Sequence, residues 1–396
     1  MTAESDRPVA VITEPDNLTA DRVVLELGEL GVPVVRFDLA DFPRDMTLNA
    51  SLSPAGWHGT LSVHGRTVAL QELRAIWWWH PGPPRIALDG LCAAEAEWAR
   101  EEAMAGVAGV LAALECEHVN HPSRTRAAQS KPGALASAAA CGLNVPATWI
   151  GNHPGAARGF ARETPGGVVG KALTRPWIAC PDGTSRSLHT TPVDHRAIDS
   201  GIGLGAHQLQ HRVVKDHEVR LTVVGGEMFA ARIDAHSPAA REDFRADYGA
   251  LTYRHTQVPD TVREGITRLM AHYGLLVAAI DLLVDEQGHW WLVDLNPAGQ
   301  WDWLQKELPA LPLAQAMAEL LASGRPTAKQ PAVSPAVPGP QADLSLCPER
   351  QITVTEDGVP FISTPSMASS FETVVQTQED MQIFDGSNSR KGASHT

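Results

Sequence analysis

The sequence lacks the features that mark membrane proteins, secreted proteins and nucleic-acid-binding proteins. No apolar run approaches the roughly 20 residues that a membrane-spanning helix needs. The first residues, MTAESDRPVAVIT, carry neither the basic nor the apolar region of a signal peptide. Basic residues are scarce, 32 Lys and Arg against 46 Asp and Glu, and the net charge of −14 argues against nucleic acid as the main ligand. A soluble cytoplasmic protein is expected.

Two further motifs are missing, a cysteine pair and a glycine-rich nucleotide loop. The five cysteines are scattered without a CxxC pair, which favours reduced thiols over a disulfide framework or a zinc site. Two short apolar runs at 8–14 and 32–38 flank a helical pattern at 17–30, which predicts a strand–helix–strand unit in a parallel sheet. Because no glycine fingerprint follows the first run, we interpret this sheet as a scaffold or a substrate wall rather than a nucleotide site.

What is present has the size and composition of a globular enzyme. The chain has 396 residues, of which 43% are apolar and 20% are charged. This length exceeds a single compact core, so two or three domains are expected. In the first domain, a hairpin with Gly65 at its turn is predicted at 51–70, and a long helix at 93–114. The run IWWWHPG between them predicts a strand, with core packing of the tryptophans favoured over a role in a peptide-binding surface.

The most informative stretch is residues 278–303, AAIDLLVDEQGHWWLVDLNPAGQWDW. It predicts two apolar strands joined by a polar turn that ends in Gly288. Alternation along the second strand puts Asp294 and Asn296 on one face, and the hairpin brings Asp281 beside them. Two carboxylates and an amide oxygen suit a hard cation such as Mg²⁺ that is also held by phosphate oxygens. The alternative is a pair of edge-strand acids that face solvent.

Two lysines upstream are candidates for binding an anion. A loop over 120–130 leads to Lys131 at the start of a helix, and taken alone Lys131 fits an ordinary surface lysine. Lys171 lies in the apolar strand of PGGVVGKAL, after three glycines. Burial of an unpaired ammonium group is costly, so Lys171 needs an anionic partner, for which phosphate is the obvious candidate. A flexible loop, SGIGLGAH, follows at 200–207.

Two arginines lie on the next pair of predicted strands, KDHEVRLTVVGGEMFAARID. Gly225-Gly226 is a two-residue turn and a strong hairpin signal. Arg220 and Arg232 lie on the two strands, where guanidinium groups suit planar carboxylate or phosphate. The alternative for each arginine is a surface ion pair with one of the many acids nearby. Helices at 261–273 and 312–324 are also predicted.

The C-terminal region differs in character from the rest of the chain. Residues 326–346 contain five prolines and predict an extended linker. Residues 347–396 begin with a predicted hairpin at Asp357-Gly358 and continue as a polar tail rich in Thr, Ser, Glu and Asp. Such a tail buries little apolar surface. An ordinary disordered terminus is one interpretation of it.

Taken together, Lys131, Lys171, QHRV, EVRLTVVGGEMFAA, AAID and VDLNPAGQW resemble the ATP-grasp ligase superfamily over most of residues 8–325. Within it, NHPSRTRAAQSKPGAL, EVRLTVVGG and VDLNPAGQWDWL are similar to the graspetide synthetases, which macrocyclise ribosomal peptides. The resemblance implies an α/β (α+β) ATP-grasp fold with a parallel-sheet pre-ATP-grasp domain, a small central domain and a C-terminal antiparallel-sheet domain. The expected segments are 1–118, 119–205, 206–325, the linker 326–346 and the precursor-like tail 347–396.

The resemblance also implies the nucleotide contacts. ATP would be clamped between two sheets, with Lys131 and Lys171 on its phosphates. Gln210 precedes the hinge, whose backbone at His211 and Val213 would face adenine, and Glu218 would reach the ribose.

The metal and catalytic residues follow from the same resemblance. Asp281, Asp294 and Asn296 would carry Mg²⁺. Arg220 would meet the transferred phosphate or the acyl group. Arg232, from its place on the neighbouring strand, is the second catalytic candidate. The chain departs from the family in three places. Asp294 stands where the family usually has Glu, His211 stands where an acid is common, and an arginine common near His80 is missing.

The expected activity is ATP-dependent macrocyclisation. An Asp or Glu side chain of a precursor peptide becomes an acyl phosphate, and a Thr or Ser hydroxyl or a Lys amine displaces phosphate to give an ester or an amide. We interpret the tail as that precursor, joined naturally or by engineering to its synthetase; its candidate residues are Thr373, Thr377, Glu379, Asp380 and Asp385. Asp385-Gly386 is also a pair prone to succinimide formation.

The expected function implies a peptide partner, and two alternative functions remain open. The partner is the precursor peptide, in cis or in trans, without nucleic acid or membrane, and the enzyme is expected to form a homodimer. One alternative is a carboxylate–amine ligase that acts on free amino acids or small peptides and needs no tail. The other is a non-catalytic ATP-binding scaffold that holds a peptide, in which Asp294→Asn would leave the activity intact.

Overall fold

The computed structural model describes residues 6–87, 90–174, 177–180, 184–324, 352–354 and 360–362. The described residues form two compact units. The large unit lies within Met1–Ala147 and Arg212–Pro338, and the small unit lies within Thr148–His211 and Gly339–Thr396. The division into five segments made from the sequence stays a prediction. Within the described part of the chain, no helix combines the length and the apolar character needed to cross a bilayer.

The large unit begins with a parallel sheet, as the sequence predicts. The elements in order are β1 Val9–Ile12, α1 Leu18–Glu29, β2 Val34–Phe37, β3 Met46–Ser53, β4 Gly56–Val63, β5 Arg66–Ala69, β6 Ala75–Trp78, α2 Ala93–Ala112 and β7 Glu117–Val119. Strands β2, β1, β6 and β7 are neighbours in that order, and all pairs are parallel. Strands β3, β4 and β5 form a separate antiparallel sheet, so the predicted hairpin gains a third strand, while its turn at Gly65 is confirmed.

The tryptophan-rich strand packs into the core. Trp77 and Trp79 are each 1% exposed, and their rings stack with centroids 5.1 Å apart. The indole nitrogen of Trp79 donates to Oδ1 of Asn17 at 3.0 Å, so the polar atom of this buried ring is satisfied. Core packing of these two side chains is therefore confirmed.

The chain leaves this sheet through two helices and enters the small unit. The elements are α3 Pro122–Ala128, α4 Lys131–Ala140, β8 Thr148–Gly151, α5 Pro154–Glu163, β9 Val168–Lys171, β10 Trp177–Ala179, β11 Ser185–Ser187, β12 Thr191–Val193 and β13 His207–His211. The prediction of a loop over 120–130 is wrong, because Pro122 starts a helix at a position where its fixed φ and missing N–H are favourable. Part of the predicted loop SGIGLGAH is likewise a 3-10 helix, Ser200–Leu204.

Within its described residues, the small unit has three small antiparallel sheets. Strands β12, β9, β13 and β8 are neighbours in that order, and β10 pairs with β11. Ala157, Val168, Ile198 and Leu209 belong to the core between the larger sheet and α5. Two further strands assigned to this unit, β19 Ile352–Val354 and β20 Pro360–Ile362, pair antiparallel, which confirms the strands of the predicted hairpin. Strand β20 lies beside the Ser200–Leu204 turn.

The chain then returns to the large unit and builds a five-stranded antiparallel sheet. The elements are β14 Lys215–Val224, β15 Glu227–Ala235, α6 Pro238–Glu242, β16 Leu251–His255, α7 Asp260–Tyr273, β17 Val277–Asp285, β18 Trp290–Asn296, α8 Asp302–Glu307 and α9 Leu313–Ser323. The strand order is β16-β15-β14-β17-β18. The fold class predicted from the sequence is confirmed.

The two faces of this sheet meet different partners. One face packs on α4 and α7 and contributes Val219, Leu221, Ile280 and Leu282 to an apolar core. The other face has apolar residues at one end, where Val224, Ala231 and Val277 join the core of the parallel sheet and α9. The remaining end of this second face carries the polar residues of the candidate site.

Asn120 ties the parallel sheet to the five-stranded sheet. Its amide nitrogen donates to the carbonyl oxygens of Val277 at 2.6 Å and Pro297 at 2.9 Å. Its amide oxygen accepts from the backbone nitrogens of Leu276 at 2.8 Å and Val277 at 3.1 Å. A buried side chain that makes four hydrogen bonds fixes the start of β17 and the loop that follows Asn296.

Candidate active site

A β-bulge decides which side chains of the hairpin face the site. Asp281 pairs with Asp294, and the next pair along is Leu282 with Leu292, so Val293 is the extra residue. In an unbroken ladder, strict alternation would put residues 292 and 294 on one face. With the bulge, Leu292 faces the core, while Asp294 lies on the opposite face with Asp281. Asn296, two positions further on, shares that face, so the predicted juxtaposition is present in the structure.

Two arginines hold the carboxylate of Asp281. Nη1 of Arg220 donates to Oδ1 at 2.7 Å, and Nη2 of Arg245 lies 3.5 Å from Oδ2. Arg220 is the direct cross-strand neighbour of Asp281, so the register of β14 and β17 sets this pair. Asp281 and Arg220 are 7% and 9% exposed, and charges this deeply buried persist only when paired.

A second buried carboxylate, Glu218, lies on the same strand face as Arg220. Its Oε1 accepts from Nζ of Lys215 at 2.7 Å, and the same ammonium group donates to the carbonyl of Glu242 at 3.1 Å. Burial raises the pKa of Glu218 above its usual range, and Lys215 opposes that rise. Glu218 is thus a buried acid whose charged form is stabilised by a neighbouring lysine.

Arg245 belongs to a segment between β15 and β16 that covers the acids. Although burial lowers its pKa, the carboxylates of Asp281 and Asp243 hold the pKa of Arg245 above its usual value. Asp243, 6% exposed, also accepts from the backbone nitrogen of Arg245 at 3.1 Å. Because the guanidinium group stays charged at any working pH, it supplies a fixed positive charge beside Asp281.

The exposed end of the site is formed by Lys131 and Asp294. Lys131 is the first residue of α4, and its Nζ lies 4.0 Å from Oδ1 of Asp294. The two side chains are 24% and 30% exposed, so a ligand can reach both. Lys131 thus lies beside the sheet face that carries Asp281, Asp294 and Asn296, which we call the acid face.

The loop after β18 passes close to Arg220. Nη2 of Arg220 donates to the carbonyl of Gln300 at 3.0 Å, and the Gln300 side chain accepts from the hydroxyl of Thr19 at 2.9 Å. A Cβ at Gly299 would lie 2.5 Å from the Cβ of Ala279 and 2.8 Å from Nη2 of Arg220. Only glycine allows the loop to approach the guanidinium group this closely.

Arg232 is a sequence-predicted site residue that the structure does not bring to this face. Its cross-strand partner is Val219, which points to the core side. Its guanidinium group pairs with Asp234 at 2.7 Å and Asp216 at 3.3 Å. Because side chains alternate along a strand, Arg220 and Arg232 face opposite sides of the sheet, and we leave Arg232 out of the functional proposal below.

The small unit holds the second lysine. Nζ of Lys171 donates to Oε1 of Gln210 at 3.0 Å, and Nε2 of Gln210 donates to the hydroxyl of Thr148 at 3.0 Å. Gln210 is 1% exposed, so its amide is oriented by these two bonds. His211 ends β13, and Val213 lies in the connection from β13 to β14.

The residues present fit a magnesium ion. Asp281, Asp294 and Asn296 offer oxygen donors from two adjacent strands, and Mg²⁺ prefers such donors together with phosphate oxygens and water. Oδ1 of Asn296 already accepts from the backbone nitrogen of Ala298 at 3.0 Å, which orients its amide. Among the described residues, no group of three His, Cys, Asp or Glu side chains could hold a metal alone. The donor set is thus a carboxylate pair that a bound phosphate would complete.

Three charged residues of this site are not singled out by the sequence. They are Lys215, Asp243 and Arg245. Lys215 begins a strand whose pattern draws attention to Arg220 alone. Asp243 and Arg245 lie in REDFRADYG, where charges of both signs without strand periodicity resemble a solvated loop. Asp243 and Arg245 are identified only because the folded segment lies close to Asp281.

Comparison with known proteins agrees with the fold. Residues 9–126 match the family described as the MvdD pre-ATP-grasp domain. The macrocyclase MdnC of Microcystis aeruginosa MRC, bound with the precursor peptide MdnA, is 25% identical over 80% of this chain and 99% of that chain, with a TM-score of 0.70. A RiPP-associated ATP-grasp ligase of Chryseobacterium gregarium, in complex with ADP and a leader and core peptide, is 24% identical over 81% and 99%, with a TM-score of 0.74. No curated protein matches the chain.

The fold and its likeness to these proteins are those of an ATP-dependent ligase. Residues 9–126, which include the N-terminal sheet, are similar to a pre-ATP-grasp domain, and the resemblance of the chain to the graspetide synthetases is confirmed. The predicted fusion to a precursor peptide is not tested by the described residues. The predicted linker 326–346, the turn at Asp357-Gly358 and the candidate residues at 373–385 lie outside the described part of the chain.

Proposed function

We propose that this chain is an ATP-dependent macrocyclase that activates Asp or Glu side chains of a ribosomal peptide and links them to Thr or Ser hydroxyls or to Lys amines. The observation that carries the proposal is the buried carboxylate Asp281 held by Arg220 and Arg245, with Asp294 and Lys131 at the exposed end. Such an arrangement combines metal-binding oxygens with fixed positive charge, which is what phosphoryl transfer requires.

Similarity to MdnC supports a peptide as the substrate, because MdnC is a macrocyclase bound with a precursor peptide. About a fifth of this chain has no counterpart in MdnC, since 80% of it already covers 99% of that protein. Residues 347–396 are the natural candidate for this additional part. We propose that they are the substrate, with Thr373, Thr377, Glu379, Asp380 and Asp385 as the reacting candidates.

Asp281, Asp294 and Asn296 would hold Mg²⁺, which supplies charge neutralisation on the phosphate oxygens when it is bound. Asp294 is the more accessible of the two acids and lies beside Lys131. A phosphate group near that ammonium would therefore also be near the carboxylate pair.

The two arginines would serve the reacting groups. Arg220 is fixed by Asp281 and by the carbonyl of Gln300, so its planar donors keep one orientation. Arg245 approaches the same carboxylate from the covering segment. We assign Arg220 and Arg245 to the transferred phosphate or the acyl group, whose developing negative charge they stabilise.

The remaining residues would bind the nucleotide. Lys131 and Lys171 would bind ATP phosphates, and Gln210 orients Lys171. The backbone of His211 and Val213 would face adenine. Glu218 would reach the ribose, and its neighbour Lys215 stabilises the charged form of that acid.

The proposed reaction has two balanced steps. A carboxylate oxygen of the peptide attacks the γ-phosphorus of ATP, the bond from phosphorus to the bridging oxygen breaks, and ADP leaves. A hydroxyl oxygen then attacks the acyl carbon, the bond from that carbon to the phosphate oxygen breaks, and inorganic phosphate and the hydroxyl proton leave. The peptide has lost the elements of one water. Both reacting groups belong to one peptide, which raises their effective concentration.

Intact mass spectrometry of the full chain with Mg²⁺ and ATP tests this function. Each link removes one water, about 18 Da. We expect that loss in the wild type and not in Asp294→Asn, which removes one metal-binding charge at a partly exposed position. Unchanged mass while ATP is consumed would contradict the fused substrate. ADP release that depends on added free amino acids would indicate the small-molecule ligase instead.

A further inference from the structure

Four aromatic side chains form a cluster next to the acid face of the large unit. We call Phe244, Tyr248, Tyr253 and Trp303 the aromatic cluster. The ring centroids are 6.3 Å apart for Phe244 and Tyr248, 6.4 Å for Phe244 and Trp303, and 5.6 Å for Tyr253 and Trp303. These spacings are those of aromatic rings in contact.

The aromatic cluster is joined to both arginines of the site. The guanidinium carbon of Arg245 lies 5.2 Å from the centre of the Phe244 ring, while the same side chain reaches Asp281. The indole nitrogen of Trp303 donates to the carbonyl of Gln300 at 3.3 Å, and Arg220 donates to that same carbonyl. A group bound on the aromatic cluster would therefore lie beside the groups that meet the reacting acid.

The aromatic cluster is only partly buried, and part of its ring surface faces water. Phe244 is buried, Tyr253 and Trp303 are half-buried, and Tyr248 is 61% exposed. Burial raises the pKa of Tyr253 to about 12, so its ring stays neutral at working pH. Apolar surface left in water beside a functional site is a common mark of ligand binding.

We propose that the aromatic cluster binds the apolar side chain that neighbours the activated acid of the peptide, and that its occupant is the segment EDMQIFD, residues 379–385 of this chain. In that segment Phe384 directly precedes Asp385, and Met381 directly follows Asp380. This inference rests on the proposed function, and it adds a specificity determinant to it.

Charge and chain length favour this occupant. The segment carries three acids and no basic residue, whereas the aromatic cluster is flanked by Arg245 and Arg220. From Ile362, the last residue of β20, to Glu379 the chain advances 17 residues, which when extended at roughly 3.3 Å per residue span about 56 Å. The combination of aromatic rings with guanidinium groups suits an apolar residue next to an acid.

The test uses one substitution in the aromatic cluster and one in the segment 379–385. In the full chain, Tyr248→Ala and, separately, Phe384→Ala are expected to slow the loss of water by roughly fivefold to tenfold, about the effect of losing part of an apolar contact. ATP binding should be unchanged. The matched control is Trp98→Ala, which removes an aromatic of 64% exposure on α2, outside the aromatic cluster. It should react at the wild-type rate.

A chain that carries both Tyr248→Ala and Phe384→Ala tests whether the two side chains are in contact. If Tyr248 and Phe384 act through one contact, the combined change should slow the reaction little more than either change alone. Wild-type rates in Tyr248→Ala or in Phe384→Ala, or fully multiplicative effects, would overturn the inference. A wild-type chain that never loses water would instead contradict the proposed function, so the two failures are distinguishable.

Discussion

At the scale of single residues, Gly299 shows how the acid face depends on close backbone approach. A methyl group there would overlap Ala279 and the guanidinium group of Arg220. Gly299→Ala is expected to cost about 1 to 3 kcal/mol of unfolding free energy. It should also slow water loss, because Arg220 must move. Urea unfolding and intact mass spectrometry measure the two effects.

Gly106→Ala is the matched control for that substitution. Gly106 lies within α2, and no atom lies within 4 Å of the position of an added Cβ. Alanine is favoured over glycine in a helix, so this change should stabilise the chain by about 0.5 to 1 kcal/mol and leave the reaction unaffected. A stabilising Gly299→Ala would contradict the role assigned to close approach.

Asn120 concentrates four hydrogen bonds in one buried side chain. Asn120→Ala removes them and leaves backbone groups of Val277 without their partner. We expect a loss of about 2 to 5 kcal/mol, from roughly 1 kcal/mol for each bond and the cost of buried unpaired groups. Denaturant unfolding checks the value, with Asn49→Ala on β3 as a polar control outside this junction. A loss below about 1 kcal/mol would contradict the role of Asn120 as a structural tie.

At the scale of elements, the junction between α2 and β7 is expected to lose stability in acid. The indole of Trp78 donates to Nδ1 of His118, and Nε2 of His118 donates to the carbonyl of Leu114. Burial lowers the pKa of His118 to about 4. Since the folded pKa lies below the unfolded one, the stability from neutral His118 is present above about pH 6.5 and is lost as the pH falls towards 4.

The expected loss from this histidine between pH 7 and pH 5 is about 2 kcal/mol of unfolding free energy. His118→Gln keeps one acceptor and one donor but cannot take up the proton. Its stability should therefore fall less between these pH values than that of the wild type, and the difference between the two chains isolates His118 from the carboxylates. Equal pH dependence in the two chains would contradict the assignment.

At the scale of the whole molecule, the proposed substrate segment 347–396 belongs to the same chain as the proposed active site, so we expect reaction within one chain. Strand β20 already lies beside the Ser200–Leu204 turn of the small unit, upstream of the candidate acids. A substrate on a short flexible tether has an effective concentration of about millimolar. We therefore expect the rate of water loss per chain to be unchanged by tenfold dilution at saturating ATP.

A mixing experiment separates reaction within one chain from reaction between chains. The Asp294→Asn chain keeps an intact tail but is expected to be inactive, and labelling it with heavy nitrogen distinguishes its mass from that of the wild type. Mixed with wild type, it should retain its mass while the wild-type chain loses water. Water loss from the variant tail would show that chains modify one another and would contradict the expectation above.

Features set by residues close together in the sequence could be predicted, whereas features set by contacts between distant segments could not. Alternation predicts the strands of the acid hairpin, and a glycine pair predicts the turn between β14 and β15, because both are local properties. The position of Arg245 beside Asp281 depends on how an irregular segment folds back on a sheet, and no local pattern encodes it. The opposite faces of Arg220 and Arg232 are encoded locally, since a two-residue turn at 225–226 fixes the register and pairs Arg232 with Val219.

The extra residue Val293 affects which single-residue deletions in β18 keep the acid face intact. The bulge separates the hairpin into an outer part fixed by its turn and an inner part that carries Asp294 and Asn296. Deleting Val293 would leave a regular ladder in which Leu292 and Asp294 still face opposite sides. A gene should therefore tolerate the loss of this one codon, whereas the loss of the codon for Leu295 would turn Asn296 away from the acids.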